Sequence, residues 1–295
     1  MLIDLKYHLT TLVAVFLALA VGILVGSSFI AGSSVKGLER QFGKLRAENR
    51  QQWKTIEDFR EQIKKHSDFE RATAPALVYG QLAGRSIAII QTGDYSEATQ
   101  RAKSILEEAG AKLVSVTTIS NLESRSARQR AIRSVELITG EAEKQDPIGR
   151  VLGLVAKCVA TGTGSETLGV LEDKALLSRA GDYDRRVVRV VLVGGCRWVR
   201  SARAEHTDLV LIDKLTAEGV VTIVGAEPLE VGTSYIPVYH RKAIPTVDNV
   251  DQSMGQVALV YAVAGETGNF GVKRSADRVA PDYLERGLWR YGYRR

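Results

Sequence analysis

Small and polar residues follow two apolar segments of the chain, and these residues are the first candidates for binding chemistry. Residues 85–91 and 187–193 have the continuous apolar, β-branched character of buried strands. Ligands of open parallel sheets bind beyond the carboxyl ends of the strands. The residues in that position, which we predict to contact a small ligand, are Thr92, Gly93, Asp94, Gly194 and Gly195. No GxGxxG follows a strand and no GxxxxGK[ST] occurs, so no phosphate-binding loop is predicted.

Asp94 has a second interpretation. Residues 94–97 read DYSE, which matches a capping box at the start of a helix. We favour this capping role for Asp94 over a role in ligand binding. The same pattern recurs later in the chain, where Ser253 precedes Gln256 by three positions.

A second polar cluster lies near the end of the chain. Asp248, Asn249 and Asp251 could supply the oxygen ligands that hard cations prefer. Their spacing is not that of an EF-hand, and no glycine stands at the expected turn. A cation site at these three residues is one prediction. The other is a purely structural segment, with a capping box at Ser253–Gln256 and a helix terminus and tight turn at Gly265, Gly268 and Gly271.

Side chains for soft-metal or catalytic chemistry are scattered. Cu(I) favours thiolate and thioether ligands. The chain has only four such residues, far apart: Met1, Cys158, Cys196 and Met254. His206 and His240 are not accompanied by a nucleophile elbow. We name no ligand for a soft metal, predict no cofactor and no catalytic residue, and expect a protein that is not an enzyme.

The elements that would position these residues begin after Gly84, where apolar runs alternate with amphipathic segments. Strands are predicted at residues 85–91, 112–119, 187–193 and 220–224, and helices at residues 95–110, 125–139, 147–160, 166–178, 206–218 and 253–264. Such alternation indicates a parallel sheet covered on both faces. We predict a Rossmann-like three-layer α/β domain with a mostly parallel sheet over residues 85–280.

An uncharged apolar run occupies residues 9–30. About 20 apolar residues cross a hydrocarbon core of about 30 Å as a helix. The small residues at positions 27–34 also allow a cleaved signal peptide, and a buried helix is the third alternative. We favour a transmembrane anchor, with membrane lipid as its partner.

A heptad pattern follows the apolar run over residues 35–71. Apolar and amide residues alternate in steps of three and four, which is the 3.5-residue period of a coiled coil. The predicted interface consists of Val35, Leu38, Phe42, Leu45, Asn49, Ile56, Phe59 and Ile63. Parallel self-association is expected, but the flanking positions lack clean opposite-charge pairs. A homodimer and a different partner protein both remain open.

The predicted organisation therefore has five parts: an N-terminal tail and anchor (1–34), a coiled coil (35–71), a linker broken by Pro75, Gly80 and Gly84 (72–84), the α/β domain (85–280) and an aromatic, basic tail (281–295). The formal net charge of the 295 residues is +6. Much of the excess lies within residues 36–54, which suits anionic lipid better than nucleic acid. We predict no nucleic acid partner, and the side of the membrane on which the α/β domain lies stays open.

Two motifs resemble a known family. The opening IDLKYHLTTLVAVFLALAVGILVG (3–26) resembles that of the mycobacterial copper transport protein B family, and so do VDNVD (247–251), GQVALV (255–260) and GNFGVK (268–273). The resemblance covers essentially the whole chain. It implies a bacterial envelope protein. Mycobacterial members are described as outer-membrane, channel-forming copper exporters, whereas related actinobacterial members are linked to cell separation through an inner-membrane partner.

Three functions are weighed. The first is a transport-related envelope protein that lowers cellular copper, as the resemblance implies; a pore would need several chains to contribute their single helix. The second is a non-enzymatic coiled-coil scaffold that recruits a partner for cell-wall or division control. The third, and least favoured, is an enzyme acting on a small ligand of the α/β domain.

Overall fold

The structure, a computed structural model, describes residues 4–32, 34–141, 145–198 and 202–282. The chain divides into two compact units, Met1–His66 and Ser67–Arg295. The predicted tail from residue 283 onwards lies outside the described residues, so its aromatic and basic side chains stay a feature of the sequence alone.

The first unit is helical. Helix α1 (Asp4–Gly32) contains Lys6–Ser27, a segment of 22 residues with a mean hydropathy of 2.6 and no buried residue. By length and composition it is able to cross a membrane.

Helix α2 (Ser34–Val78) carries the heptad pattern. Leu38, Phe42, Leu45, Ile56, Phe59 and Ile63 are each at least 41% exposed. The helix therefore presents a row of large apolar side chains to its surroundings, and Asn49 interrupts that row with an exposed amide. The side chain of Val35 lies outside the described part of this helix.

The predicted break of this helix from residue 72 onwards is wrong, because α2 continues through Pro75 to Val78. Proline inside a helix costs about 3 kcal/mol through its missing N–H and its ring. Ala74 and Val78 are buried in the core of the second unit, and this burial offsets that cost. The helix is followed by turns in which Gly80 and Gly84 adopt positive φ angles.

The described part of the second unit contains a seven-stranded sheet in the order β3-β2-β1-β4-β5-β6-β7. The strands are β1 (Ser86–Gln91), β2 (Lys112–Ile119), β3 (Leu177–Gly181), β4 (Arg189–Val193), β5 (Thr222–Ala226), β6 (Thr246–Val247) and β7 (Asn269–Phe270). All neighbouring pairs are parallel except β2 and β3. The mixed α/β class and the mostly parallel sheet are thereby confirmed.

Helices cover both faces of this sheet. They are α3 (Ser96–Glu108), α4 (Arg125–Thr139), α5 (Pro147–Thr161), α6 (Ser165–Asp173), α7 (Leu209–Ala217), α8 (Ile236–His240) and α9 (Ser253–Ala264), with a π-helical turn, Ala204–Asp208, directly before α7. Alternate residues of β1 face opposite ways. Ala88 and Ile90 join the core beneath α4 to α8, whereas Ile87 and Ile89 join the core beneath α3, α9 and the end of α2.

The helix predicted over residues 166–178 is partly wrong. Helix α6 ends at Asp173, and the chain then turns at Ala175, which has a φ of 53°. It returns as β3, pairing antiparallel with Ser115–Ile119 at the sheet edge. This strand has only one buried residue, so its sequence lacks the continuous apolar run that identified β1 and β4.

Candidate functional site

The ends of β1 and β4 meet at the point where the strand order reverses. Gln91 lies beside Val193 across this parallel pair. The Gly93 N–H donates to the Val193 carbonyl at 3.0 Å, and the Asp94 N–H donates to the Gly195 carbonyl at 2.9 Å. The strand-end residues predicted from the sequence are therefore brought together at a topological switch point, where open α/β sheets bind their ligands.

The glycines at this point are required by backbone packing. A Cβ on Gly93 would collide with the carbonyl of Gly194, and a Cβ on Gly194 would collide with the hydroxyl of Tyr239. Gly195 has a φ of +92°, which glycine adopts without strain. These contacts explain the residue types without a bound phosphate.

The capping box predicted at Asp94 is wrong. The N-cap of α3 is Tyr95, and it makes no side-chain capping bond. Asp94 instead accepts hydrogen bonds from Arg203 Nη1 at 2.7 Å and from the Arg197 N–H at 3.1 Å. Burial raises the pKa of Asp94, but the hydrogen bonds from Arg197 and Cys196 and the nearby Arg203 outweigh burial, so this pKa lies below its ordinary value.

The second capping box is also wrong. The N-cap of α9 is Gln252 rather than Ser253, and it makes no side-chain capping bond. Side-chain N-caps do occur on two other helices, at Ser124 before α4 and at Asp146 before α5.

A wholly buried carboxylate, Asp208, lies against the switch point. The hydroxyls of Thr92 and Tyr239 both donate to Asp208 Oδ1, at 2.7 and 2.6 Å. Burial raises the pKa of Asp208 to about 6, although both hydroxyls and Arg203 act in the opposite direction. The π-helical turn that ends at Asp208 sets the position of this residue, and such turns are frequent at functional sites.

Two tyrosines fill the space above the strand ends. Tyr235 and Tyr239 are fully buried, and their rings meet edge to face with centroids 6.4 Å apart. Tyr239 packs against both Gly194 and Gly225. The space beside these glycines is therefore filled by the protein's own aromatic side chains.

The residues of the predicted cation cluster bind loops of the same chain. Both carboxylate oxygens of Asp248 accept backbone N–H groups, from Val272 at 2.9 Å and Lys273 at 3.0 Å. Asp251 accepts the N–H of Leu229 at 2.8 Å. Asn249 is buried beside them, so the three residues do lie together. The hydrogen bonds from the backbone N–H groups give both carboxylates a structural role.

Sequence reasoning missed a buried ion pair next to this cluster. Glu227 accepts hydrogen bonds from Ser234 Oγ at 2.6 Å, the Tyr235 N–H at 2.7 Å and Lys273 Nζ at 2.6 Å. Glu227 directly follows β5, so the strand-end rule that selected Asp94 would also have selected it. Arg203 and Asp208 carry no comparable signal, because burial of a charged residue cannot be read from its neighbours in sequence.

Candidate metal ligands are dispersed in the described residues. Within ranges 4–32, 34–141, 145–198 and 202–282, no group of three or more His, Cys, Asp or Glu side chains is arranged to hold a metal ion. Cys158 and Cys196 are buried free thiols, and burial raises the pKa of Cys158. His206 Nδ1 lies 3.6 Å from Glu123 Oε1, and His240 Nε2 lies 3.3 Å from Thr246 Oγ1.

An open cavity of about 560 Å³ lies between the loop after β2, the start of α5 and the π-helical turn. Its walls carry both signs of charge, including those of Glu123, Glu205 and Arg125. The volume falls within the range of small-molecule sites. No sequence pattern indicated this cavity, because its walls come from three separate segments.

Comparison with known proteins decides the family. The model of the family described as "Copper transport outer membrane protein, MctB" matches residues 2–281. The chain belongs to the MctB family. The copper transporters MctB of Mycobacterium tuberculosis and Mycobacterium bovis are each 22% identical over 312 residues, covering 93% of this chain and 98% of theirs. MctB of Mycobacterium leprae is 22% identical over 313 residues.

Membership of the MctB family confirms the resemblance drawn from the N-terminal and late motifs. MctB proteins are described by transport rather than by an enzymatic reaction. Together with the apolar helix α1, the family supports a copper transport-related envelope protein.

Proposed function

We propose that this protein is a membrane-anchored envelope protein that takes part in copper export and has no enzymatic activity. The observation that carries the proposal is the family match over residues 2–281, because it includes the anchor, α2 and the whole sheet. The exposed apolar segment Lys6–Ser27 supports the membrane anchor.

In this proposal the chain has five parts: an anchor (1–34), a coiled coil (35–71), a linker (72–84) whose first residues form the end of α2, a Rossmann-like head domain (85–280) and a tail (281–295). The Rossmann-like assignment is supported by the strand order, which reverses between β1 and β4. The coiled coil is supported by the exposed apolar row on α2.

A deletion strain of the native host tests the copper role. Without the gene, growth should be inhibited at lower copper concentrations than in the parent, and a plasmid-borne copy should restore tolerance. Zinc serves as the control metal, for which the parent and the deletion strain should respond alike. Equal copper tolerance in both strains would remove the copper role.

A second candidate function is a scaffold that recruits a partner through α2 for cell-wall or division control. The apolar row on α2 favours it, because large exposed apolar surfaces mark interaction sites. For the copper role proposed above, we propose instead that the row is covered by a second copy of the chain. Both copies would be anchored by their N-termini in one bilayer, so the two helices would run parallel.

Charges placed in the apolar row should abolish this self-association. We expect Leu45→Asp combined with Phe59→Asp to convert an oligomer of the full chain in detergent into a monomer in analytical ultracentrifugation. Buried uncompensated carboxylates oppose the pairing of the helices. The matched control, Ala47→Asp with Gln51→Asp, adds the same charge at exposed positions away from the row.

The outcomes separate the two functions. A wild-type chain that is already monomeric would contradict the self-association. A monomeric double variant that restores copper tolerance fully would place the copper role outside the coiled coil. Loss of a co-purifying division or cell-wall protein from this variant would favour the scaffold.

Small-ligand binding by the predicted residues stays a proposal. A thermal-shift series with nucleotides and divalent cations on the full chain tests it for the strand ends and for Asp248, Asn249 and Asp251. A shift that Asp251→Asn removes would support the cation cluster, and no shift with any compound would contradict both sites.

A further inference from the structure

Buried polar atoms without a hydrogen-bond partner in the described part of the chain include Asp208 Oδ2 and the hydroxyl of Tyr235, both beside the switch point. Both belong to residues with no exposed surface. Asp208 Oδ1 is already occupied by the hydroxyls of Thr92 and Tyr239. A buried carboxylate with an unpartnered oxygen is costly when ionised, because desolvation is then not repaid.

The charged and titratable groups around Asp208 do not neutralise it. Tyr235 and Tyr239 face it from the segment containing α8, and both are neutral, since burial raises their pKa values further. Arg203, on the same segment as Asp208, bonds to Asp94 at 2.7 Å and to the Ile119 carbonyl at 3.0 Å. Its charge is thus shared with a second carboxylate. Glu227 lies near Tyr239, and its charge is balanced by Lys273, whose Nζ donates to Glu227 at 2.6 Å.

We propose that Asp208 is a proton-binding site in the head, and that the bound proton stabilises the packing of the π-helical turn and α8 on the ends of β1 and β4. The ligand is a proton because the site is buried and holds one carboxylate, whose Oδ2 has no hydrogen-bond partner. The other polar groups at the site are hydroxyls, which do not form a metal-ligand set. This site goes beyond the copper role and does not depend on it.

The direction in which stability changes with pH follows from the pKa of Asp208 in the folded and in the unfolded protein. The pKa of Asp208 is about 6 in the folded protein and 3.8 in the unfolded reference, so the folded state binds the proton about a hundredfold more tightly. The stabilisation is complete below pH 3.8 and is lost as the pH rises to about 6. Above that range the ionised carboxylate weakens the fold.

The direct test follows protonation of carboxyl groups by infrared spectroscopy of the full chain in detergent. We expect one buried carboxylic acid with a midpoint near pH 6, absent from Asp208→Asn and retained in the control Asp173→Asn, which changes an exposed carboxylate. A difference spectrum without such a band, or a band that persists in Asp208→Asn, would overturn the proposal.

Stability provides the second measurement. The melting temperature of the wild-type full chain in detergent should fall relative to that of Asp208→Asn between pH 4 and pH 6, because the amide remains neutral throughout. A parallel pH dependence of the two proteins would contradict the linkage.

A third variant keeps the proposal testable should Asp208→Asn fail to fold. Thr92→Val removes one donor to the ionised carboxylate with little change in shape, so it should raise the infrared midpoint further. A midpoint that does not move would show that the titrating group is not Asp208.

Discussion

At the scale of single residues, Gly194 holds the switch point together. Its backbone N–H donates to the Ala226 carbonyl at 2.8 Å, and the absence of a side chain leaves room for Tyr235 and Tyr239. The two tyrosines in turn cover the strand ends. The lack of a side chain at this position therefore allows the two tyrosines to pack against the strand ends.

Replacement of Gly194 by alanine should destabilise the head by about 1–3 kcal/mol, the usual cost of overpacking a filled core. Its added Cβ would meet both tyrosines. Urea unfolding followed by circular dichroism measures the effect. Gly153→Ala, inside α5 with only ordinary contacts nearby, is the control and should be neutral or stabilising. Equal stability of the two variants would refute the packing role.

The sequence predicted which residues lie at the strand ends, but not what each one binds. The strand-end rule placed Thr92, Gly93 and Asp94 correctly because it depends only on local apolar runs. The partner of Asp94 could not be predicted, since Arg203 lies 109 residues further along the chain. A local capping pattern competes with such distant partners. At Asp94 the carboxylate binds the distant Arg203 and does not cap α3.

At the scale of elements, the long and strongly patterned segments were predictable. Strand β2 and helix α9 have the predicted bounds, 112–119 and 253–264. The two-residue strands β6 and β7 and the five-residue helix α8 were not predicted, because segments this short are too brief to show a hydrophobic period. Their positions are set by long-range pairing, such as Gly225 with Thr246.

Pro75 offers a prediction at this scale. Pro75→Ala should stabilise the end of α2 by about 1–3 kcal/mol, because alanine restores the missing N–H and removes the ring clash. The ring of Pro75 is exposed, so little packing is lost. Thermal unfolding of the full chain in detergent measures the gain, and Ala76→Ser at the neighbouring exposed position should change stability by less than about 0.5 kcal/mol. A Pro75→Ala variant that is less stable than the wild type would show that the proline stabilises the protein at this position.

At the scale of the whole molecule, one chain of the MctB family combines a helix able to cross a membrane, an exposed apolar row and an α/β head. The family match carries the copper role, whereas the described residues show no clustered soft ligands. The proposal therefore assigns to this protein a part in copper export without assigning copper ligands.

Copper export is tested by measuring cell-associated copper by mass spectrometry after a copper pulse. A deletion strain should retain more copper than its parent, and the full-length gene should restore the parental value. Equal copper in the deletion strain and its parent, at equal growth, would contradict the role in copper export.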